Sequence, residues 1–117
     1  MNLQIVTIAE PGIADRERLH IVALADTDLS YYAALLSVRY LNGRIAAAFR
    51  PAYWFGPRAV RAGDNIILYS GSGQDTSQVR PDGGTNHYYH WGLKNTVWNH
   101  STSCAVLLEL MNWQTYP

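Results

Sequence analysis

Three of the four histidines lie within one short stretch, at His87, His90 and His100. Imidazole is the side chain best suited to proton transfer and to metal binding near neutral pH. A strand is predicted over residues 87–91, and side chains alternate between the two faces of a strand, so His87 and His90 point in opposite directions. Binding one ion would require a β-bulge between them. We therefore expect no metal site, and no motif indicates any other cofactor.

A nucleophile next to a base is the second chemistry that this stretch suggests. His100 is followed by Ser101 and Ser103, and a histidine beside a hydroxyl is the arrangement of a small hydrolase. In a polar loop such hydroxyls more often bond to nearby backbone. The chain shows no paired carboxylates, and the segment 71–73 lacks the lysine of a phosphate-binding loop. Binding is thus favoured over catalysis.

Aromatic rings and amides in the same region indicate a binding surface for a small molecule or nucleotide. The candidate binding residues are His87, Tyr89, Trp91, Asn95, Trp98, Asn99 and His100, together with Arg80 in the preceding loop. The alternative for Trp98 and Asn99 is structural, with a buried indole and an amide that holds the loop backbone.

Length and composition limit the classes of protein. The 117 residues suit one domain spanning 1–117, and the net charge is zero with scattered arginines, so we expect no nucleic-acid partner. The single cysteine, Cys104, excludes an internal disulfide and is expected to be buried in an apolar strand. No apolar run reaches the ~20 residues of a membrane span, and no signal-peptide pattern is present. A cytoplasmic protein without a membrane partner is expected.

The secondary-structure elements that position these candidate residues are predicted to be β-strands separated by turns that contain Gly, Pro or Asn. They are expected at residues 3–9, 19–25, 33–41, 44–50, 65–70, 87–91 and 104–108, with a tight hairpin at 42–43. The first strand is apolar on both faces, as in an inner strand. Residues 15–18 read as a solvated charged segment, residues 29–40 are compatible with a short helix instead, and 71–86 reads as a long mobile loop. The pattern predicts an all-β, antiparallel β-sandwich of about seven strands.

Several segments resemble one family. The segment Ala-Gly-Asp-Asn-Ile-Ile-Leu-Tyr-Ser-Gly-Ser-Gly at 62–73 resembles the strand and loop of lamin tail domains. Tyr-His-Trp-Gly-Leu at 89–93 and Val-Trp-Asn at 97–99 resemble the tryptophan-asparagine loop of bacterial members. The resemblance implies an immunoglobulin-like sandwich that acts as an interaction module and not as an enzyme. This chain departs from the family at 100–104, where a second asparagine and a glycine-aspartate turn are missing.

The partner implied by this interpretation is another protein or a second copy of the chain. Charged residues make up only 15% of the sequence and lysine occurs once, at Lys94, so exposed strand edges have little protection against pairing. The segment 111–117 adds Trp113 and Tyr116, and aromatic residues are favoured at interfaces. The alternative is that both rings fold back over their own chain.

Overall fold

The computed structural model describes residues 1–38, 51–99 and 101–117, and strands dominate all three ranges. The strands are β1 (Leu3–Ala9), β2 (Arg18–Ala23), β3 (Thr27–Asp28), β4 (Tyr32–Val38), β5 (Ala52–Trp54), β6 (Ala59–Val60), β7 (Asn65–Tyr69), β8 (Thr76–Val79), β9 (Thr85–His90) and β10 (Ser103–Glu109). The all-β prediction is confirmed. Ten described strands exceed the seven expected, because the sequence pattern does not reveal the short strands. The predicted hairpin at 42–43 and the strand 44–50 lie outside the described residues.

The described strands form three sheets. Five strands are ordered β1-β2-β7-β9-β8, three are ordered β10-β4-β5, and β3 pairs with β6. All of these pairings are antiparallel except that of β7 with β9, which is parallel. The expectation of a wholly antiparallel sheet is therefore wrong at this pair. The chain leaves β7, forms β8 at the sheet edge, and returns as β9 between them.

Strand β1 was predicted to lie inside a sheet. It lies instead at an edge of the five-stranded sheet. Its pairing with β2 shifts register between Ile5 and Thr7, which is a β-bulge or a similar irregularity. The shift directs Leu3, Ile5 and Ile8 toward the core while Val6 remains half exposed. Strand β1 would be apolar on both faces if its alternation were regular. Because of the register shift, it presents a single apolar face to the core.

The segment 71–86, expected to be a loop, contains β8. Strand β8 pairs antiparallel with β9, with Thr76 opposite Tyr88 and Val79 opposite Thr85. All four β8 residues are exposed, so the strand has no alternation of apolar and polar positions. The sequence signal for a strand depends on that alternation, which explains why β8 was not predicted.

The five-stranded and three-stranded sheets send alternate side chains into one apolar cluster. It includes Leu19 and Ile21 of β2, Ile66 and Leu68 of β7, and Ala34 of β4. A single cluster between two sheets is compatible with a β-sandwich. No helix among the described residues is long and apolar enough to cross a membrane.

The ambiguous segment that follows residue 28 begins with a single 3₁₀ turn, Leu29–Tyr31, and continues as β4. Asp28 caps the turn by accepting a hydrogen bond from the Ser30 amide at 2.9 Å. The strand prediction for the described part of 33–41 is confirmed. Three consecutive aromatic residues at 53–55 alternate between the faces of the chain, with Tyr53 and Phe55 on the core and Trp54 half exposed.

Glu17 contradicts the expectation that residues 15–18 are solvated, since it is 1% exposed. Its carboxylate accepts hydrogen bonds from the backbone amides of Gly12 at 2.8 Å, Val97 at 2.7 Å and Trp98 at 3.0 Å. Burial raises the pKa of Glu17, but these bonds and one from the Ser70 side chain overcome that effect and hold the pKa below its ordinary value. The ionised side chain joins the loop before β2 to the loop before β10.

Cys104 is half-buried and not part of the core, so its predicted burial is wrong. Ala105 and Leu107 of β10 pack on the core, and alternation therefore places Cys104 and Val106 on the opposite face of the three-stranded sheet.

Candidate functional site

Three predicted binding residues, Tyr89, Trp91 and Trp98, contribute to the core. The Tyr89 ring meets the ring of Phe55 edge-on at a centroid distance of 5.3 Å, and Trp91 lies 6.0 Å from Trp98. Trp98 is 3% exposed, and its indole Nε1 has no hydrogen-bond partner among the described residues. The burial of Trp98 agrees with the structural interpretation of this loop.

Asn99 is exposed and packs its Cβ against Gly12. Gly12 has a φ of 81°, and a Cβ added there would lie 3.1 Å from the Asn99 Cβ. Glycine is thus required both by its backbone conformation and by this close approach. His100 lies outside the described residues, and with it the proposed pairing with Ser101 or Ser103.

Arg80 lies on the outer side of the five-stranded sheet, away from Tyr89, Trp91 and Trp98. Its guanidinium donates hydrogen bonds to Asn86 Oδ1 at 2.8 Å and to the Gly63 carbonyl at 3.0 Å, and it pairs with Asp82 at 3.2 Å. Asn86 also accepts a bond from the Asn65 amide at 2.9 Å, and Asn65 contacts His20 Nε2 at 3.0 Å. Arg80 therefore belongs to a polar network across β2, β7 and β9 that sequence analysis missed.

A second feature of this outer face is a stack of planar groups at register-matched positions. The His90 imidazole stacks on the Tyr69 ring at a centroid distance of 5.1 Å, with an angle of 11° between their planes. The Arg18 guanidinium lies 5.9 Å from the centre of the same tyrosine ring. The ring pair is directed away from the core-facing His87, which confirms that His87 and His90 occupy opposite faces.

Two neighbouring clefts open at the end of this face. The larger, of about 400 Å³, is lined by Asp15, Tyr69, Gly71, Ser72, Thr76, Tyr88 and His90. The smaller, of about 220 Å³, shares Asp15, Gly71 and Ser72 with the first and includes the predicted residue Asn95. Asp15 has a φ of 66°, a left-handed conformation that is uncommon away from glycine.

A third cleft lies on the inner side of β8 and β9 and has a volume of about 220 Å³. It is lined by Arg58, Asp75, Thr76, Ser77, His87, Tyr88 and Tyr89. His87 is 5% exposed, and its Nε2 lies 3.0 Å from Asp64 Oδ2. The other ring nitrogen, Nδ1, is buried without a hydrogen-bond partner among the described residues.

Asp64 fixes the orientation of the His87 ring. Burial raises the pKa of Asp64, but hydrogen bonds from His87 and from the amides of Arg61 and Thr85 outweigh burial and hold the pKa below its ordinary value. An ionised carboxylate only accepts hydrogen bonds, so His87 Nε2 carries a hydrogen and donates it to Asp64. The His87 Nδ1 is left with an unused hydrogen-bonding position.

The edge of the three-stranded sheet is the remaining surface feature. Strand β10 has one hydrogen-bonded neighbour, β4, among the described strands, and its other side has no strand partner within the described ranges. Nearby, Trp113 packs on Tyr31 and on Trp54, at centroid distances of 5.8 and 5.4 Å. Tyr116, in contrast, is 97% exposed. One tail aromatic thus folds back over its own chain and the other does not.

No group of three or more His, Cys, Asp or Glu side chains within 1–38, 51–99 and 101–117 is arranged to hold a metal ion. Comparison of the chain with known proteins finds no matching family model, no matching curated protein and no matching solved structure. Those predicted binding residues that the structure describes are distributed over the core, the outer sheet face and a cleft at the end of that face.

Proposed function

We propose that this protein is a non-catalytic interaction module that associates with a second copy of itself through the edge of β10. The observation that carries the proposal is the composition of this edge, Ser-Cys-Ala-Val-Leu-Leu-Glu. It has seven residues, no basic side chain and no second hydrogen-bonded neighbour among the described strands. Proteins usually protect such an edge with lysine, proline or a bulge.

The edge is also complementary to itself. When two β10 strands pair antiparallel about Val106, that residue faces its own copy and Cys104 faces the partner's Leu108. Ala105 then faces the partner's Leu107, and Ser103 faces the partner's Glu109. Every central pair is apolar and no like charges lie directly opposite, which is the condition for favourable cross-strand pairs. The two three-stranded sheets become one continuous sheet, a known mode of association by strand addition.

The composition of the segment 111–117 suggests that its aromatic residues lie at an interface, but Trp113 contacts its own chain. Trp113 covers Tyr31 and Trp54 of its own chain, so it supports the outer face of the sheet that ends in β10. The resemblance to bacterial lamin tail domains supports a module of this kind, because it implies interaction without catalysis. A soluble cytoplasmic location completes the proposal.

Sedimentation of the wild type and of Val106→Lys tests the proposal. We expect the wild type to form a dimer at micromolar concentration and Val106→Lys to be monomeric, because two lysines would face each other at the centre of the pairing. Val79→Lys is the matched control. It places the same charge on β8, at the edge of the other sheet, where Val79 is exposed, and should leave the dimer intact.

A cross-link tests the register. In a Cys104→Ser background, Val106→Cys should form an intermolecular disulfide under mild oxidation, since the two copies of position 106 face each other. The same background with Val79→Cys should cross-link far more slowly. A wild type that remains monomeric at micromolar concentration, or a dimer that persists in Val106→Lys, would refute pairing through β10.

A further inference from the structure

Two oppositely charged side chains line the cleft beside His87 without forming an ion pair with each other. Arg58 and Asp75 both line it, yet they form no ion pair with each other, and the Arg58 guanidinium makes no hydrogen bond to a described residue. Asp75 uses Oδ1 to accept a hydrogen bond from the His90 amide at 2.8 Å, and the same oxygen lies 3.3 Å from His90 Nδ1, while Oδ2 has no described partner. A guanidinium and a carboxylate oxygen that have no partner among the described residues therefore line one small cleft.

The pKa of the Tyr89 hydroxyl, whose residue lines the cleft, responds to both charges. Burial raises the pKa of Tyr89, Arg58 acts to lower it and Asp75 to raise it further. Burial, followed by the charge of Asp75, raises the pKa of the neighbouring Tyr53 to about 12. These phenols remain neutral and can donate a hydrogen bond. Arg58 and Asp75 thus act in opposite directions on the pKa of Tyr89.

His87 supplies the third group. Its ring lines the cleft, is buried, and is held by Asp64 through Nε2, so Nδ1 has no described partner. A buried nitrogen without a partner is less stable than a bonded one. Most such groups in folded proteins are satisfied. A ligand that donates a hydrogen bond to Nδ1 would recover this cost.

We propose that this cleft binds a small zwitterion, a free α-amino acid, with its carboxylate on Arg58 and its ammonium group between Asp75 and His87 Nδ1. An α-amino acid carries one negative and one positive group on adjacent atoms, and an ammonium group has three hydrogens to donate. The carboxylate matches the Arg58 guanidinium, one N–H of the ammonium group matches Asp75 Oδ2, and another matches the unfilled His87 Nδ1. The volume of about 220 Å³ admits a small molecule of this class.

The proposal is independent of association through β10, because the cleft lies on β8 and β9 of the other sheet. Calorimetric titration with a panel of amino acids tests it directly. L-Alanine is compared with propionate, which lacks the ammonium group, and with ethylamine, which lacks the carboxylate. We expect at least one amino acid to bind saturably, and both single-charge analogues to bind at least about tenfold more weakly.

Two variants remove the charges without disturbing the core. Arg58→Gln and Asp75→Asn alter half-exposed or exposed side chains, and each should weaken binding at least about tenfold. Arg61→Gln, an exposed arginine outside the cleft, and Asp15→Asn, which lines the other two clefts, should leave affinity unchanged. Circular dichroism establishes that each variant is folded.

The ring nitrogens of His87 report the location. Nitrogen NMR should show the Nδ1 resonance of His87 moving with the bound amino acid while that of His20 remains in place. Absence of saturable binding across the panel, equal binding of propionate and alanine, or unchanged affinity in Arg58→Gln would each overturn the assignment.

Discussion

At the scale of single residues, the most consequential group is a carboxylate that makes no ion pair among the described residues. Glu17 is surrounded by donors on the backbone, and three of its four hydrogen bonds come from peptide amides of two separate loops. Hydrogen bonds to a charged acceptor are stronger than neutral ones, which offsets the cost of burying the charge. The two loops therefore depend on one side chain remaining ionised.

Glu17→Gln should lower the free energy of unfolding at neutral pH by about 2 kcal/mol, because the amide group turns two donors toward neighbours that are themselves donors. The folded-state pKa of Glu17 lies below its ordinary value of 4.5, so its contribution is fully present above that pH. It is lost as the pH falls through the folded-state pKa. Denaturant unfolding of wild type and variant should give curves that converge below pH 4.5.

Glu10→Gln is the matched control for this measurement. The pKa of Glu10 is also lowered, chiefly by its hydrogen bond from Arg18, but this carboxylate lies at the surface. Its removal should change the free energy of unfolding little at any pH. A difference between wild type and Glu17→Gln that stays constant through the acid range would contradict the proposed role of the charge.

Trp98 provides a test of packing. Trp98→Ala should cost about 3–5 kcal/mol of unfolding free energy, the usual range for removing a buried large aromatic side chain. Trp98→Phe removes the indole Nε1, which has no described partner, and keeps most of the buried ring. It should cost much less than the alanine variant. Equal costs for both substitutions in denaturant unfolding would show that the N–H, and not the ring, is important.

Sequence reasoning at this scale succeeded where the property is local. Strand alternation placed His87 and His90 on opposite faces, and the structural interpretation of the loop at 98–99 required a buried indole, which Trp98 has. It failed for Glu17, because the segment is charged and the partners of the carboxylate lie 80 and 81 positions away at Val97 and Trp98. No pattern within residues 15–18 contains that information.

At the scale of elements, the face and the edge of β10 determine the behaviour of Cys104. The thiol is half-buried on the outer face, and in the proposed dimer it lies opposite the partner's Leu108. Alkylation of the native protein should therefore be measurable and should slow as protein concentration rises through the association range. In Val106→Lys the rate should be independent of concentration. A wild-type rate that is equally independent would separate Cys104 from the interface.

The strands with clear apolar patterns were predictable, and the irregular ones were not. β2, β7 and the described part of β4 follow from runs of apolar and β-branched residues between turn residues. The register shift in β1 changes which residues face inward without leaving a sequence signal, so β1 was assigned to the sheet interior. β8 is exposed throughout and is held by backbone pairing with β9, which composition does not encode.

At the scale of the whole molecule, neutrality argues against nucleic-acid partners. The chain carries nine basic and nine acidic residues, and of its arginines Arg16, Arg18 and Arg80 pair with acidic side chains of their own chain. We expect no binding to DNA or RNA oligonucleotides at physiological salt, because phosphate neutralisation supplies most of such affinity. Fluorescence anisotropy with labelled oligonucleotides checks this, and submicromolar affinity that falls steeply with added salt would disprove it.

The class of the fold was predictable from the whole sequence, whereas the arrangement of the candidate site was not. Turn residues between short apolar segments indicated an all-β chain. The cleft that brings Arg58 to His87 depends on how the segment before β6 packs against β9, which is a tertiary relation between residues without any shared motif.

The parallel neighbours β7 and β9 have a consequence for biosynthesis. Strand β8 emerges from the ribosome before β9, yet β9 is its only hydrogen-bonded neighbour among the described strands. When β8 has just been synthesised, no strand with which it pairs in this sheet has yet been made. The edge of β7 that pairs with β9 is also still without its neighbour. Strand β8 can therefore pair only after residues 85–90 have been translated. This half of the sheet cannot assemble in the order in which it is synthesised.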